Sequence, residues 1–281
     1  MKQATVLTHS RPEETAAALS LLIEEARQKG VTLRFDSEET AKHGLSSGPG
    51  VVVDAPLIEQ VELCVVLGGD GTILRALRHY AGTEVPVFAV NFGEIGFLAT
   101  VEPEEAAEGF RLALGGDFEL LKLPAIVLET GEGVEHAMND VAIHRKVGER
   151  VAELSYSSDG EELGSVRCDG LVVSTPAGST GYNLANGGPV MAWGVEGFVV
   201  SFIAPHSLTA RALVMAPGDR LAIANRSREP LDLSVDGRPV GEAAAGGSIG
   251  VRFVDDAGTI AQLPGSSFYR RLREKFGRLA R

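Results

Sequence analysis

Leu63-Cys64-Val65-Val66-Leu67 runs directly into Gly68-Gly69-Asp70-Gly71-Thr72 and then into Ile73-Leu74-Arg75-Ala76-Leu77-Arg78, and this stretch decides the fold. The first five residues have the length and character of a strand buried on both faces, as in a parallel sheet. Two glycines then let the chain turn sharply and bring backbone amides close to a ligand. A helical pattern starts behind the turn, so strand, turn and helix N-terminus follow one another as they do where α/β proteins seat phosphates. The acid sets this turn apart. A site that only held an anion would gain nothing from a fixed negative charge, so Asp70 points to proton transfer or hydroxyl binding. The plainer alternative is a strand-to-helix turn with Asp70 as N-cap.

Working outward, Val6-Leu7-Thr8-His9 reads as a first strand and residues 13 or 14 to Lys29 as a helix closed by Gly30. Val31 to Phe35 is a second strand, and the stretch on to Gly50 is loop-like. A helix from the glycine turn to about Tyr80 precedes the strand Val85 to Asn91. This alternation implies a parallel sheet with helices packed on it, its ligand edge carrying Gly68 and Asn91. A further helix from about Pro103 to Leu114 ends at Gly115-Gly116.

From Phe118 the character changes to many short strands and turn signals, among them Asp140 to His144, Gly170 to Ser174 and Leu231 to Val235. Asp159-Gly160 and Asp236-Gly237 read as hairpin turns. The expected organisation is an α/β domain over residues 1–122, a β-sandwich-like domain over 123–260 and a basic segment over 261–281.

With 44% apolar and 23% charged residues in 281, the chain is globular, and no run of 18 apolar residues suggests a membrane span. The first residues lack the apolar core of a signal peptide. Cys64 and Cys168 are too few for a disulfide framework or a zinc site and read as buried small residues, so a cytoplasmic protein is expected. A net charge of −12 argues against a nucleic-acid binder. Phe268 to Arg281 holds six basic residues against one acid, a net of +5, so the rest of the −12 chain carries −17. Phosphate binding must then rest on local arginines, backbone amides and a metal ion. No His, Cys or carboxylate cluster has metal-ligand spacing, so no protein metal site is expected. Any divalent ion, magnesium above all, is expected to come with the phosphate-bearing ligand.

The blocks Gly68 to Thr72, Asn91 to Leu98, Asn139-Asp140-Val141, Asp169 to Tyr182, Gly187-Gly188-Pro189, Pro205 to Leu208 and Phe268 to Arg273 resemble, in that order, the NAD kinase family. The resemblance spans nearly the whole chain. It implies an α/β domain followed by a β-sandwich-like one, with the C-terminal segment returning to the first. It also implies transfer of a phosphoryl group from ATP or polyphosphate to the 2′-hydroxyl of the adenosine ribose of NAD, and a homodimer or homotetramer.

A carboxylate, with a pKa of about 4, cannot remove that hydroxyl's proton beforehand. Asp70 can orient the hydroxyl and accept the proton as the new bond forms. Gly71 would leave room for the ribose, and Arg75, one turn on, would reach a phosphate or remain a solvated helix arginine. By resemblance Asn139 binds the base and Asp140 the ribose hydroxyls. Asp140 stands where relatives usually have Glu, a shortening of roughly 1.5 Å. Thr175 to Thr180 is a small-residue loop, Thr180 can cap a short helix, and Tyr182 offers a face for stacking on adenine. Resemblance further places Thr180, Gly181, Tyr182, Asn183, Leu184 and Ala185 along NAD and Asp169 near its nicotinamide amide. It puts Arg150 and Arg167 near the ligand and a polar residue at the Arg238 position against it. His206 reads as a strand-ending histidine rather than a base. Two rival readings are a lipid or sphingoid kinase, which shares the GGDGT turn, and a non-catalytic NAD-binding sensor.

Overall fold

Strand β1 (Gln3–Thr8) opens the computed structural model, which describes residues 1–93, 96–99, 101–131 and 133–279, with side chains to residue 277. The chain divides into two units, Met1–Lys122 with Gly258–Arg281, and Leu123–Ala257.

In the first unit, helix α1 (Pro12–Lys29) leads to β2 (Thr32–Arg34), helix α2 (Ser37–His43) and β3 (Val51–Val52). There follow β4 (Leu63–Gly68), α3 (Asp70–His79), β5 (Val87–Asn91), a single 3-10 turn (Pro103–Glu105) and α4 (Ala106–Gly115). The strands pair in parallel in the order β5-β4-β1-β2-β3. All six residues of β4 are buried, as its unbroken apolar run requires. Leu19 and Leu22 of α1 and Phe110 and Leu114 of α4 share one core with Val6, Leu33, Val65 and Phe88 of the sheet. Register aligns Gly68 with Asn91 and Leu67 with Thr8, so three loops leave the sheet side by side at its carboxyl edge.

Helix α2 corrects the loop expected before Gly50. Asp36 accepts a hydrogen bond from Glu39 N at 2.8 Å as its N-cap, and Gly44 closes it in the left-handed conformation at φ 58°.

The second unit takes in most of β6 (Glu119–Thr130), then β7 (Gly133–Ala137), β8 (Asp140–His144), β9 (Ala152–Ser158), β10 (Glu161–Cys168) and β11 (Gly170–Ser174). After the short helix α5 (Tyr182–Ala185) come β12 (Phe198–Ile203), β13 (Leu213–Met215), β14 (Arg220–Asn225), β15 (Leu231–Val235), β16 (Arg238–Ala243) and β17 (Ser248–Gln262). One antiparallel sheet has the order β13-β12-β11-β8-β15-β16, and β10-β9-β14-β17 runs in the other, with β6 joining β17 to β7. Val141, Leu171, Val200 and Leu233 from the first meet Ile126, Leu154, Ile223 and Val251 from the second in one core, the sandwich-like arrangement. Both Asp-Gly turns have two successive positive φ angles, 49° and 87° at Asp159-Gly160 and 47° and 73° at Asp236-Gly237, as hairpin turns of this kind need.

The end of β17 belongs to the first unit, where Ile260 pairs with Val87 of β5 in parallel. Helix α6 (Phe268–Leu279) follows it there and docks through Lys275 on Glu102 at 3.1 Å and Phe276 on Phe97.

Candidate active site

The glycine turn begins where β4 stops. Gly69 is the extended N-cap of α3, and Asp70 is the first helical residue. There is little room for side chains at the first two glycines. A Cβ on Gly69 would lie 3.1 Å from the Cα of Gly93, and one on Gly68 2.7 Å from Thr72 Oγ1. Gly71 has open space around it, with nothing among the described residues within 4 Å of a Cβ. Asn91 shapes the facing turn by accepting a bond from Gly93 N at 3.1 Å and donating to Glu102 at 3.2 Å. Glu94 and Ile95 of that stretch lie outside the described residues. Asp70 does not hang free. Its Oδ2 accepts from Phe97 N at 2.9 Å and its Oδ1 from Leu98 N at 3.0 Å. Two backbone bonds fix the carboxylate and still leave lone pairs for a ligand hydroxyl.

Arg75 is more than a solvated helix arginine. Its guanidinium pairs with Glu38 at 3.1 Å and with Glu39 at 2.7 Å. Glu39 is fully buried and also receives the Thr8 hydroxyl at 2.6 Å and Lys42 at 2.9 Å. Burial works to raise its carboxyl, but the bonds from Thr8 and Lys42 outweigh it and hold the group below the usual range. A hollow of about 270 Å³ between Thr8, His9, Lys42, Gly69, Gly71 and Arg75 lies over this network.

In the second unit the Asn139-Asp140 pair is held from an unexpected quarter. The Asp236 carboxylate of the hairpin turn accepts from Met138 N at 3.2 Å, Asn139 N at 2.7 Å and Asp140 N at 3.2 Å. The small-residue loop is tied to the same segment through Thr175 N to Asn139 O at 2.9 Å and Thr175 Oγ1 to Met138 O at 2.8 Å. Gly178 packs so closely that a Cβ would fall 2.1 Å from Asn139 O. Asp140 is 8% exposed, and no side-chain bond reaches it from the described residues. Burial first, and Asp236 second, push its carboxyl up to about 7. Among the described residues the side-chain oxygen of Asn139 is buried without a partner.

The loop departs from the expected helix cap at Thr180, and Asn183 and Tyr182 have partners that no spacing showed. Thr180 caps no helix; Gly181 is the N-cap of α5 and the Thr180 hydroxyl bonds back to Ala177 O at 3.3 Å. Asn183 turns inward, fully buried, donating to Ser179 O and Pro189 O at 2.9 Å each. Tyr182 is exposed, but one ring face already stacks on His144, 5.5 Å between centroids and 18° from parallel. Gly181 and Ala185 are also outward and Leu184 is half-buried.

Asp169 is bound by Arg145, Nε to Oδ1 at 2.6 Å, which holds its carboxyl below the usual range. Arg150 and Arg167 are exposed and, with Arg145, Arg226 and Arg228, line a hollow of about 540 Å³. Arg238 is in an ion pair with Glu135 at 3.1 Å. The His206 ring is exposed just past β12, and its backbone amide donates to Arg167 O at 2.7 Å. The roles of Arg145, His144, Asp236 and Glu39 escaped the sequence reading. Glu39 carried a local signal, standing three residues after the capping Asp36, and Asp236 showed only as a hairpin turn.

An acid-bearing glycine turn on a parallel sheet, joined in one chain to a sandwich with a small-residue loop beside a buried carboxylate, defines a phosphotransferase-like nucleotide-binding protein. The model of the ATP-NAD kinase N-terminal domain matches residues 6–118, and that of the ATP-NAD kinase C-terminal domain matches residues 138–261. The chain belongs to the NAD kinase family. It is 36% identical over 271 residues to the NAD kinase of Gemmatimonas aurantiaca, covering 93% of this chain and 91% of that one. With the NAD kinase of Lachnoclostridium phytofermentans it shares 30% identity over 289 residues, 99% of each chain. Its fold matches the crystal structure of yeast NADH kinase complexed with NADH at a TM-score of 0.87 and 25% identity, over 99% of this chain and 88% of that one. An Archaeoglobus fulgidus NAD kinase in complex with ATP has the same fold, at a TM-score of 0.74 and 23% identity, over 100% of this chain and 99% of that one.

Proposed function

We propose that this protein transfers a phosphoryl group from ATP to the 2′-hydroxyl of the adenosine ribose of NAD, giving NADP, with Asp70 accepting the hydroxyl proton. The observation that carries the base role is the pair of bonds from Phe97 N and Leu98 N, which aim a carboxylate beside the open space at Gly71. Proton removal is concerted with attack, since a carboxylate is far too weak a base to form the alkoxide first. The adenosine side of NAD is read by Asn139, whose side-chain oxygen is buried without a protein donor among the described residues, and by the buried carboxyl of Asp140. Adenine stacks on the Tyr182 face that His144 leaves open. Arg150 and Arg167 meet the pyrophosphate, Asp169 the nicotinamide amide, and Gly181, Leu184 and Ala185 line the path.

Among the described residues no three His, Cys, Asp or Glu side chains form a metal cage. The donor nucleotide would carry magnesium, whose charge would offset that of its phosphates. No helix among the described residues is long and apolar enough to cross a membrane. The reading places the protein in the cytoplasm as a homodimer or homotetramer, which light scattering after size exclusion would resolve.

The test is NADP formation from NAD, ATP and magnesium, coupled to an NADP-specific dehydrogenase. Asp70→Asn should bind NAD normally and lose most turnover; near-normal turnover removes Asp70 from the base role. Tyr182→Ala should weaken NAD binding by about 1–3 kcal/mol, and an unchanged Kd defeats the stacking. Failure with both ATP and polyphosphate, with a lipid alcohol phosphorylated instead, would overturn the whole assignment.

A further inference from the structure

Three charged side chains are buried among the described residues: Glu39, Asp140 and Arg271. The first holds the Lys42 and Arg75 cluster and the second lies in the NAD-reading segment, which leaves Arg271 of α6 unexplained. A buried guanidinium is a costly way to dock a helix. Here docking has other means, since Phe276 packs on Phe97 with 6.0 Å between ring centroids and Lys275 pairs with Glu102. The neighbours Arg270 and Arg273 stay exposed.

Arg271 Nη1 donates to Phe97 O at 2.5 Å, while Leu98 N donates to Asp70 Oδ1 at 3.0 Å. One peptide unit, Phe97–Leu98, therefore has its carbonyl on the guanidinium and its N–H on the carboxylate. A carbonyl drawn toward a cation makes the N–H of the same peptide a stronger donor, because hydrogen bonds in series polarise one another. Burial pulls Arg271 down to about 10, with Asp70 first among the acids that push it back up, so it stays charged at neutral pH.

We propose that Arg271 is a positioning residue for Asp70, acting through the Phe97–Leu98 peptide to lock the carboxylate in the orientation that receives the hydroxyl proton. The C-terminal helix is on this view a working part of the reaction centre. The proposal rests on the reading of Asp70 as the base.

The test compares full-length wild type, Arg271→Gln, Arg271→Lys, Phe276→Ala and Asp70→Asn in steady-state kinetics, NAD titration and thermal unfolding. Arg271→Gln should lower kcat between about ten- and a hundredfold, the penalty of a misplaced reacting group, with KM for NAD and ATP within about twofold of wild type. Arg271→Lys, which keeps a charge on Phe97 O, should recover part of that loss. Phe276→Ala should lower the melting temperature and leave kcat within about twofold, since it removes a ring contact with Phe97 and leaves both hydrogen bonds of the Phe97–Leu98 peptide in place. A kcat for Arg271→Gln within twofold of wild type would overturn the proposal. So would equal losses in Arg271→Gln and Arg271→Lys, or a kcat loss in Phe276→Ala as large as that in Arg271→Gln. Should Arg271→Gln not fold, Arg271→Lys decides, a several-fold fall in kcat at constant KM supporting the proposal and wild-type kcat refuting it. An active Asp70→Asn brings down the base reading and this one with it; an inactive Asp70→Asn beside a fully active Arg271→Gln brings down this one alone.

Discussion

Replacing Asp140 by asparagine is expected to stabilise the protein, and to do so more in alkaline than in acidic solution. Burial and Asp236 raise this carboxyl from the ordinary 3.8 to about 7. The folded protein then holds the proton more tightly than the unfolded chain, so stability falls as pH rises from 3.8 to about 7 and stays low above that. At about 1.36 kcal/mol per pH unit, ionisation penalises the folded state by about 4 kcal/mol above pH 7 and by less than half of that at pH 5. Asparagine keeps the shape and carries no such penalty. The unfolding free energy of the variant relative to wild type should therefore be about 2–3 kcal/mol larger at pH 8.5 than at pH 5. Comparing the two pH values cancels whatever the new amide contributes at both. Urea titrations followed by Trp193 fluorescence suit the purpose, because Trp193 is the single tryptophan, is buried and lies in the same unit as Asp140. The same advantage at both pH values would refute the argument, for it would mean that Asp140 is not held away from its charged form. NAD affinity should move the other way, falling in the variant. A residue that weakens the fold and strengthens ligand binding is what a built site predicts.

Three further outcomes follow from the packing. Glu39→Ala leaves Lys42 and Arg75 without their buried partner and should cost about 3–5 kcal/mol, read as a large fall in melting temperature. A fall of only a degree or two would show that Glu38 and solvent suffice. Gly178→Ala places a Cβ 2.1 Å from Asn139 O, so the loop must move; about 1–3 kcal/mol of stability and much of the NAD affinity should go together. Unaltered NAD binding in a destabilised protein would separate the loop from the site. Arg238→Ala removes an exposed ion pair with Glu135 and should change stability by less than about 1 kcal/mol in urea unfolding.

The α/β half was legible because its signals are local. A buried parallel strand shows as an unbroken apolar run, and Leu63 to Leu67 could hardly be anything else beside Gly68-Gly69. The two Asp-Gly hairpins were legible for the same reason, since two adjacent positive φ angles demand such residues. Helix α2 was missed although Asp36, Glu39 and Gly44 mark its ends, because seven mostly polar residues have too little apolar periodicity to register. Strand β10 was hard to read because it lies at a sheet edge with Glu161, Glu162 and Leu163 exposed, which blurs the alternation.

The sequence alone determined which residue types stand where chemistry is needed: Asp70 in a glycine turn, Asn139-Asp140 before a strand, Tyr182 behind a small-residue loop. It also determined the family, through the order of those blocks. Tertiary structure decided which partners the expected site side chains already hold. Arg75 is claimed by Glu38 and Glu39, Arg238 by Glu135, Asp169 by Arg145, and Asn183 by two carbonyls of its own loop. Structure likewise recruited Asp236 to shape the Asn139-Asp140 turn and Arg271 to brace the peptide that holds Asp70, from 97 and 174 residues away along the chain. Local patterns record backbone preference and burial, which each residue expresses over a few neighbours. Pairing between charges depends on distances that only the folded chain sets, so no spacing in the sequence announces it.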